Sequence, residues 1–546
     1  QFGTGAAAVR AMMSDFDRKG VDIFTVCGNE VPKLLALLGD RLRRDISYPM
    51  STAGSSTVDF LRVYYADHAV LPVRSFAPAP ADRGDFDAKN PGKAEFTTRV
   101  VKLTSRPNFR STGAYALPGR VMKVTRRDDA DTAVRVFVNS IRSSSTHEWE
   151  DDNYGGYSRP KYLQSTAVPL VPGQSVVFTS VYGGPVQVGF DERGIEVELE
   201  FEDVGEHPHW SSSADDERFA KGIEKAVYDW VEVETEAFEV HSKLSLFLET
   251  MQDSRWNTPA KLTAAIEKYT FDATHVVSGF KGKGITVVPE IVDWADDEGF
   301  TIPNLDLVKH GNFDKPTCGY GCSGNPYDAA WAFSPIGHGD IHELGHSLQN
   351  GRFQTSYGAA SHANHSVTNW FPFYVANAYF DDHGGETSDW SIDHEPFFVE
   401  LQAAYAAGER TGDFSTRLRD YVEGELTPSA DDGIRLNYAF LMQVMMMARS
   451  KDKRGNGYHL VARLHILDRA FDAATNDETT WSAAKDGLGF GSFTLDEAKA
   501  ITNNDFMGVG IWTWVGLDYR DYFDMFGFEL SAKAKSQIQS FGHPVV

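Results

Sequence analysis

Two histidines four residues apart, with a glutamate directly after the first, form the densest chemical signal in the chain: His342-Glu343-Leu344-Gly345-His346. On an α-helix, positions i and i+4 lie about 40° apart on one face, so both imidazoles can reach a single ion. Zinc takes imidazole nitrogen at roughly 2.0–2.1 Å. It lowers the pKa of a water that it binds and polarises a carbonyl. Glu343 stands where a carboxylate can take the proton of the attacking water and pass it to a leaving amine. Asp340 reads as the N-cap of this helix. Ile341, Leu344 and Leu348 fall on the opposite face, where a core would hold the helix. A helix with two merely structural histidines is the competing reading.

A catalytic zinc takes three protein ligands and keeps one position open. Three residues further along the chain are candidates for the third. His365 is favoured, because Ser366-Val367-Thr368-Asn369-Trp370-Phe371 after it reads as a second helix beside the first. His362 and Glu386 are the others. His338 stands four residues before His342, but Gly337 and Gly339 argue against a continued helix there, so it reads as a cleft or capping histidine.

The elements that must position these residues are spread over 546 residues, which predicts two to four domains. A hydrophobic share of 42% and a charged share of 24% are those of a globular protein. No run of eighteen apolar residues suggests a membrane span. The formal net charge of −25 makes nucleic acid or an anionic membrane a poor partner. It would also repel acidic, sialylated ligands at long range. Cys318 and Cys322 have no second pair to complete a four-sulfur zinc site, so they read as a short disulfide loop, which implies an oxidising, extracellular or periplasmic setting. The start, Gln1-Phe2-Gly3-Thr4-Gly5, lacks a basic-then-apolar leader and reads as a mature form or a fragment of a precursor.

Residues 1–94 read as a mixed α/β lead-in or the tail of a preceding domain, with a strand at 21–26 and a short helix from Val31 that stops at Gly39. A Pro- and Ala-rich linker follows near 76–81. Residues 95–210 read as an antiparallel β-sandwich, from alternating strands at 121–125, 134–138 and 195–201 and a less regular one at 174–178. Residues 211–389 read as the catalytic zinc metallopeptidase core, opened by an amphipathic helical run from Phe219 to Met251. Residues 390–546 read as its helical C-terminal part, with the Met-rich stretch 441–448 as core packing. The predicted fold is thus α+β and multidomain: an antiparallel β-sandwich followed by a mainly helical, zincin-like catalytic domain.

Several of these segments resemble the enhancin-like, mucin-directed zinc metallopeptidases, and among them the secreted bacterial immunomodulating metalloproteases. Gly339-Asp340-Ile341-His342-Glu343-Leu344-Gly345-His346-Ser347-Leu348-Gln349 is similar to the family's zinc helix. Ser111-Thr112-Gly113-Ala114-Tyr115-Ala116-Leu117-Pro118-Gly119 resembles the opening of its sandwich domain, and Tyr182-Gly183-Gly184-Pro185 its later turn. Gly516-Leu517-Asp518-Tyr519-Arg520-Asp521-Tyr522-Phe523, followed by Phe526-Gly527-Phe528, is similar to its closing segment. The likeness covers roughly 95–546. One departure stands out: matched on Val367-Thr368-Asn369, the family's glutamate ligand falls on His365 or Ser366. Either this branch uses three histidines, or Glu386 or another residue serves.

The resemblance implies a secreted zinc endopeptidase acting on O-glycosylated host glycoproteins or mucins, cleaving just before a glycosylated Ser or Thr. A sugar needs an aromatic face for its C–H edges and polar groups for its hydroxyls. Trp331 is the first candidate, with Trp370, Asn369, Arg352 and Tyr357 behind it. A zinc protease indifferent to glycans, and a glycan-binding adhesin on a retired protease fold, are the alternatives. An intact Glu343 argues against the second.

Overall fold

The computed structural model describes residues 1–87, 94–147, 156–355, 367–384, 406, 442–445, 456–525 and 528–545. The chain divides into two compact units, one of residues 1–267 with 306–334, the other of 268–305 with 335–546.

The first unit opens with three helices, α1 (Phe2–Arg18), α2 (Glu30–Arg43) and α3 (Thr57–His68). Met13, Ile23, Ala36 and Leu71 pack between them. The expected strand at 21–26 is a turn, in which Asp22 accepts the backbone N–H of Phe24. Nor does Gly39 stop its helix. It lets α2 lie against Ala69, whose Cβ would stand 2.7 Å from a Cβ at position 39. Pro32 sits in the first turn of α2, where its missing N–H costs no helical hydrogen bond. Among the described residues of the lead-in, the regular structure is thus helical rather than mixed.

Eight strands follow: β1 (Thr97–Thr104), β2 (Asn108–Ala116), β3 (Val121–Arg126), β4 (Val134–Val138), β5 (Val168–Leu170), β6 (Ser175–Thr179), β7 (Gly184–Phe190) and β8 (Glu196–Glu206). They form one antiparallel sheet in the order β5-β4-β7-β2-β8-β3-β6, with β1 also on β8. Apolar side chains from all eight meet in a single core, so the sheet curls around its own contents. All four strands expected from alternation are present.

The stretch read as one amphipathic helix from Phe219 to Met251 is mostly something else. Only α4 (Asp216–Lys225) and α5 (Leu244–Thr250) are helical. Between them lie β10 (Trp230–Glu234) and β11 (Phe238–Lys243), which with β9 (His209–Trp210), β12 (Lys309–Phe313), β13 (Gly321–Cys322) and β14 (Tyr327–Ala329) build a six-stranded mixed sheet. Glu232, Glu239 and His241 occupy buried positions of these strands, which hides the alternation that would mark them. Cys318 and Cys322 are joined by a disulfide, and Cys27 is free and exposed.

The described residues of the second unit are mainly helical. Its described elements include α6 (His338–His346), α7 (Trp370–His383), α8 (His459–Ala474), α9 (Asn503–Val515) and α10 (Ala532–Ser540). α8 is buried along most of its length. Of the Met-rich stretch, 442–445 are described; they are helical, with Val444 and Met445 buried. No described helix is long and apolar enough to cross a membrane.

Candidate metal centre

α6 carries the motif, and it starts three residues earlier than the sequence suggests. His338 is its first residue and Gly337 its N-cap, so Asp340 lies within the first turn instead of capping it. Ile341, Leu344 and Leu348 are buried and anchor one face. Gly345 answers to a close approach: a Cβ there would stand 2.7 Å from the ring of Phe371. α7 therefore lies tight against the motif.

On the other face, His342, Glu343 and His346 are half-buried. The Nε2 atoms of His342 and His346 are 3.1 Å apart, with the rings nearly perpendicular. Two ligand atoms at corners of a tetrahedron around zinc stand about 3.3 Å apart. The two imidazoles are thus aimed at one point.

The tautomer of His342 is set from the start of α7. Asn369 Oδ1 lies 2.9 Å from His342 Nδ1. An amide oxygen only accepts, so Nδ1 carries the proton and Nε2 presents its lone pair. Thr368 Oγ1 stands 3.0 Å from the same Nδ1. His338 Nε2 donates to Asn369 Oδ1 as well, at 2.9 Å, and burial pushes His338 down to about 4, keeping it neutral. Gln349 Nε2 lies 3.2 Å from His346 Nδ1, one helical turn on; an amide nitrogen donates, so here Nδ1 accepts. An accepting outer partner such as Asn369 is what metal-binding histidines use to hold ring orientation and basicity.

The candidates for a third ligand, His365, His362 and Glu386, lie outside the described residues, as does Tyr357. The other candidates separate by burial. Trp370 is 1% exposed and packs near Phe353, which leaves no face for a sugar; it is a core residue. Asn369, 3% exposed, is committed to the two histidines and not to a substrate. Arg352 is ion-paired with Asp468 and Asp472 and lies over Phe471. Trp331, just after β14, is half-buried and keeps part of its surface. Sequence reasoning missed the orienting role of Asn369, for which no local pattern exists. It missed the contact of Gln349 with His346 too, for which the i+3 spacing is the available signal.

Residues 1–75 match the family model of the immunomodulating metalloprotease helical domain. The chain is 24% identical, over 99% of its length, to the immunomodulating metalloprotease of Pseudomonas aeruginosa, of which the match covers 59%. The solved structure of that organism's IMPa with an O-glycopeptide superposes with a TM-score of 0.80 at 23% identity, over 100% of this chain and 62% of that one. IMPa in complex with T-antigen gives 0.78 at 23% identity, with the same coverage. ZmpB metallopeptidase from Clostridium perfringens gives 0.52 at 13%, covering 82% of each chain.

The likeness to immunomodulating metalloproteases read from the sequence is borne out, and it reaches back through the helical lead-in as well as 95–546. This chain has an IMPa-like fold and spans about six-tenths of the length of those relatives.

Proposed function

We propose that this chain is the peptidase part of a secreted zinc-dependent endopeptidase that acts on proteins bearing mucin-type O-glycans and cuts just before a glycosylated Ser or Thr. The observation that carries the reading is the convergence of His342 and His346 Nε2, 3.1 Å apart, with His342 turned to present its lone pair by Asn369. Two imidazoles on one helical face suit zinc, and His342 and His346 would hold it, with a third ligand from His365, His362 or Glu386. Zinc, when bound, supplies a lowered pKa for water and polarisation of the scissile carbonyl.

The remaining work falls to the chain's own residues. Glu343 takes the proton of the attacking water and returns it to the leaving amine. Asn369 and Thr368 keep His342 in one tautomer and one orientation. The substrate class rests on the relatives, whose structures were solved with an O-glycopeptide and with T-antigen. Trp331 is the aromatic candidate for a sugar face. Secretion is in keeping with the Cys318–Cys322 disulfide.

The test is digestion of an O-glycosylated mucin-like protein, with and without enzymatic removal of its glycans, and with a chelator control. Cleavage that needs both glycan and metal supports the proposal. Chelator-sensitive cleavage of both forms leaves a zinc protease without glycan selectivity, and no cleavage of either form overturns the enzymatic reading.

A further inference from the structure

A second set of ligand-type side chains lies buried in the first unit, far along the chain from the HELGH helix. Strand register places Glu232 opposite His241 and Glu234 opposite Glu239, and puts Glu239 beside His310. Because side chains alternate along a strand, Glu239 and His241 share one face of the six-stranded sheet. Glu239, His241 and His310 are each no more than 1% exposed.

Three atoms of these residues converge. His241 Nε2 and His310 Nδ1 are 3.1 Å apart, and Glu239 Oε2 is 3.7 Å from each of them. The edge of a tetrahedral zinc site built from nitrogen and oxygen donors is about 3.3 Å. Among the described residues, this is the one place where three such side chains stand close enough to share an ion.

The surroundings resemble the outer shell of a metal site. His241 Nδ1 lies 2.7 Å from Glu232 Oε1, so a carboxylate stands behind the imidazole and turns Nε2 toward the convergence point. His207 Nε2 holds the other oxygen of Glu232 at 2.9 Å. Ser111 donates to Glu239 Oε2 from its N–H at 3.1 Å and its Oγ–H at 2.8 Å, fixing that carboxylate in turn. His310 is stacked on Phe109, with ring centroids 3.7 Å apart.

Charge points the same way. Glu232, Glu234 and Glu239 bring three carboxylates into this buried face. Arg110 answers with one guanidinium, 3.0 Å from Glu239 and 3.5 Å from Glu234. His207 and His241 hold Glu232, and His209 stands 3.6 Å from Glu234. Buried charge is costly unless it is paired or bound to a metal, and a divalent cation would add positive charge beside Glu239. A hydrogen bond from His310 to His241 would account for the 3.1 Å edge alone. It would not account for the approach of Glu239 Oε2 to both ring nitrogens.

We infer that Glu239, His241 and His310 form a second, structural site for a divalent transition metal of the zinc class. Two imidazoles and one carboxylate are a donor set that suits zinc. The burial of all three ligands keeps substrate away from it. Its work is to tie β11 to β12, and it is independent of the function proposed for His342 and His346.

The experiment uses the full chain with the motif histidines removed, His342→Ala/His346→Ala, incubated with zinc and desalted. Metal content is then read by plasma mass spectrometry. One equivalent of zinc should remain, and it should disappear when His310→Phe, which retains the stacking on Phe109, is added. If that variant does not fold, Glu239→Gln and His241→Gln serve in its place. Stripping the motif variant with chelator and adding zinc back should raise its melting temperature by roughly 5 °C or more. A motif variant that holds no zinc and shows no such shift overturns the inference. So does zinc retained after all three ligands have been replaced one by one.

Discussion

Asn369 Oδ1 receives both His342 Nδ1 and His338 Nε2, each at 2.9 Å, so one buried amide at the start of α7 sets the orientation of the HELGH helix's first histidine. Asn369→Ala removes that partner and leaves the imidazole free to turn. Zinc affinity should fall 10–100-fold, as it does when such outer partners are lost. A competition titration against a chromophoric chelator checks this. Excess zinc should restore most of the activity, and lost turnover at unchanged zinc content would rule out the orienting role.

Glu343→Gln keeps the size of the side chain and removes its basicity. Turnover on a glycosylated substrate should drop by roughly 10²–10⁴-fold, while zinc content and substrate binding stay near those of the parent. Full residual activity would exclude Glu343 as the proton carrier.

Gly345→Ala gains helix propensity worth about 1 kcal/mol, yet it drives a methyl group into the ring of Phe371, 2.7 Å away. Overpacking of this kind costs about 1–3 kcal/mol, so the net effect should be destabilising. Urea denaturation would show a lower midpoint, and the double variant Gly345→Ala/Phe371→Leu should recover part of it.

Asp17 gives a pH dependence with a definite sign. It is 0% exposed in α1, accepts the N–H of Val73 at 3.0 Å, and burial raises its pKa to about 7 in spite of Arg74 and Arg10 nearby. The folded state therefore keeps a proton that the unfolded chain releases near pH 4. The group's contribution to stability is complete below that point and is lost as pH rises toward 7. Asp17→Asn still accepts from Val73 and removes the titration. Its stability advantage should be small at pH 4 and grow to at most about 4 kcal/mol by pH 8. Urea midpoints of parent and variant across that range check it, and parallel curves would exclude the effect.

The His-Glu-Leu-Gly-His motif could be read before any fold was known because its geometry is local. Five consecutive residues and the pitch of a helix bring His342 and His346 to one face, and the structure adds the 3.1 Å between their nitrogens. The strands at 121–126 and 134–138 were equally plain, since their alternation follows from one buried and one less buried face. β10 and β11 were not. Their buried faces carry Glu232, Glu239 and His241, whose polarity makes sense only beside Ser111, Arg110 and His310 from distant parts of the chain.

What the sequence determined by itself was therefore the set of donors on α6, their spacing, and the antiparallel strands within 95–210; it read these as a sandwich, and tertiary structure instead joins them in one curled sheet. Tertiary structure decided which residues complete them. Asn369 follows His342 by 27 residues and Phe371 follows Gly345 by 26; only the packing of α7 on α6 makes one an orienting partner and the other the reason for a glycine. It also turned Trp370 and Arg352 from candidate sugar contacts into a core side chain and a paired cation. The reason is physical: helix pitch and strand alternation act between near neighbours, whereas burial and hydrogen-bond partnership depend on which distant segments come to share the same space.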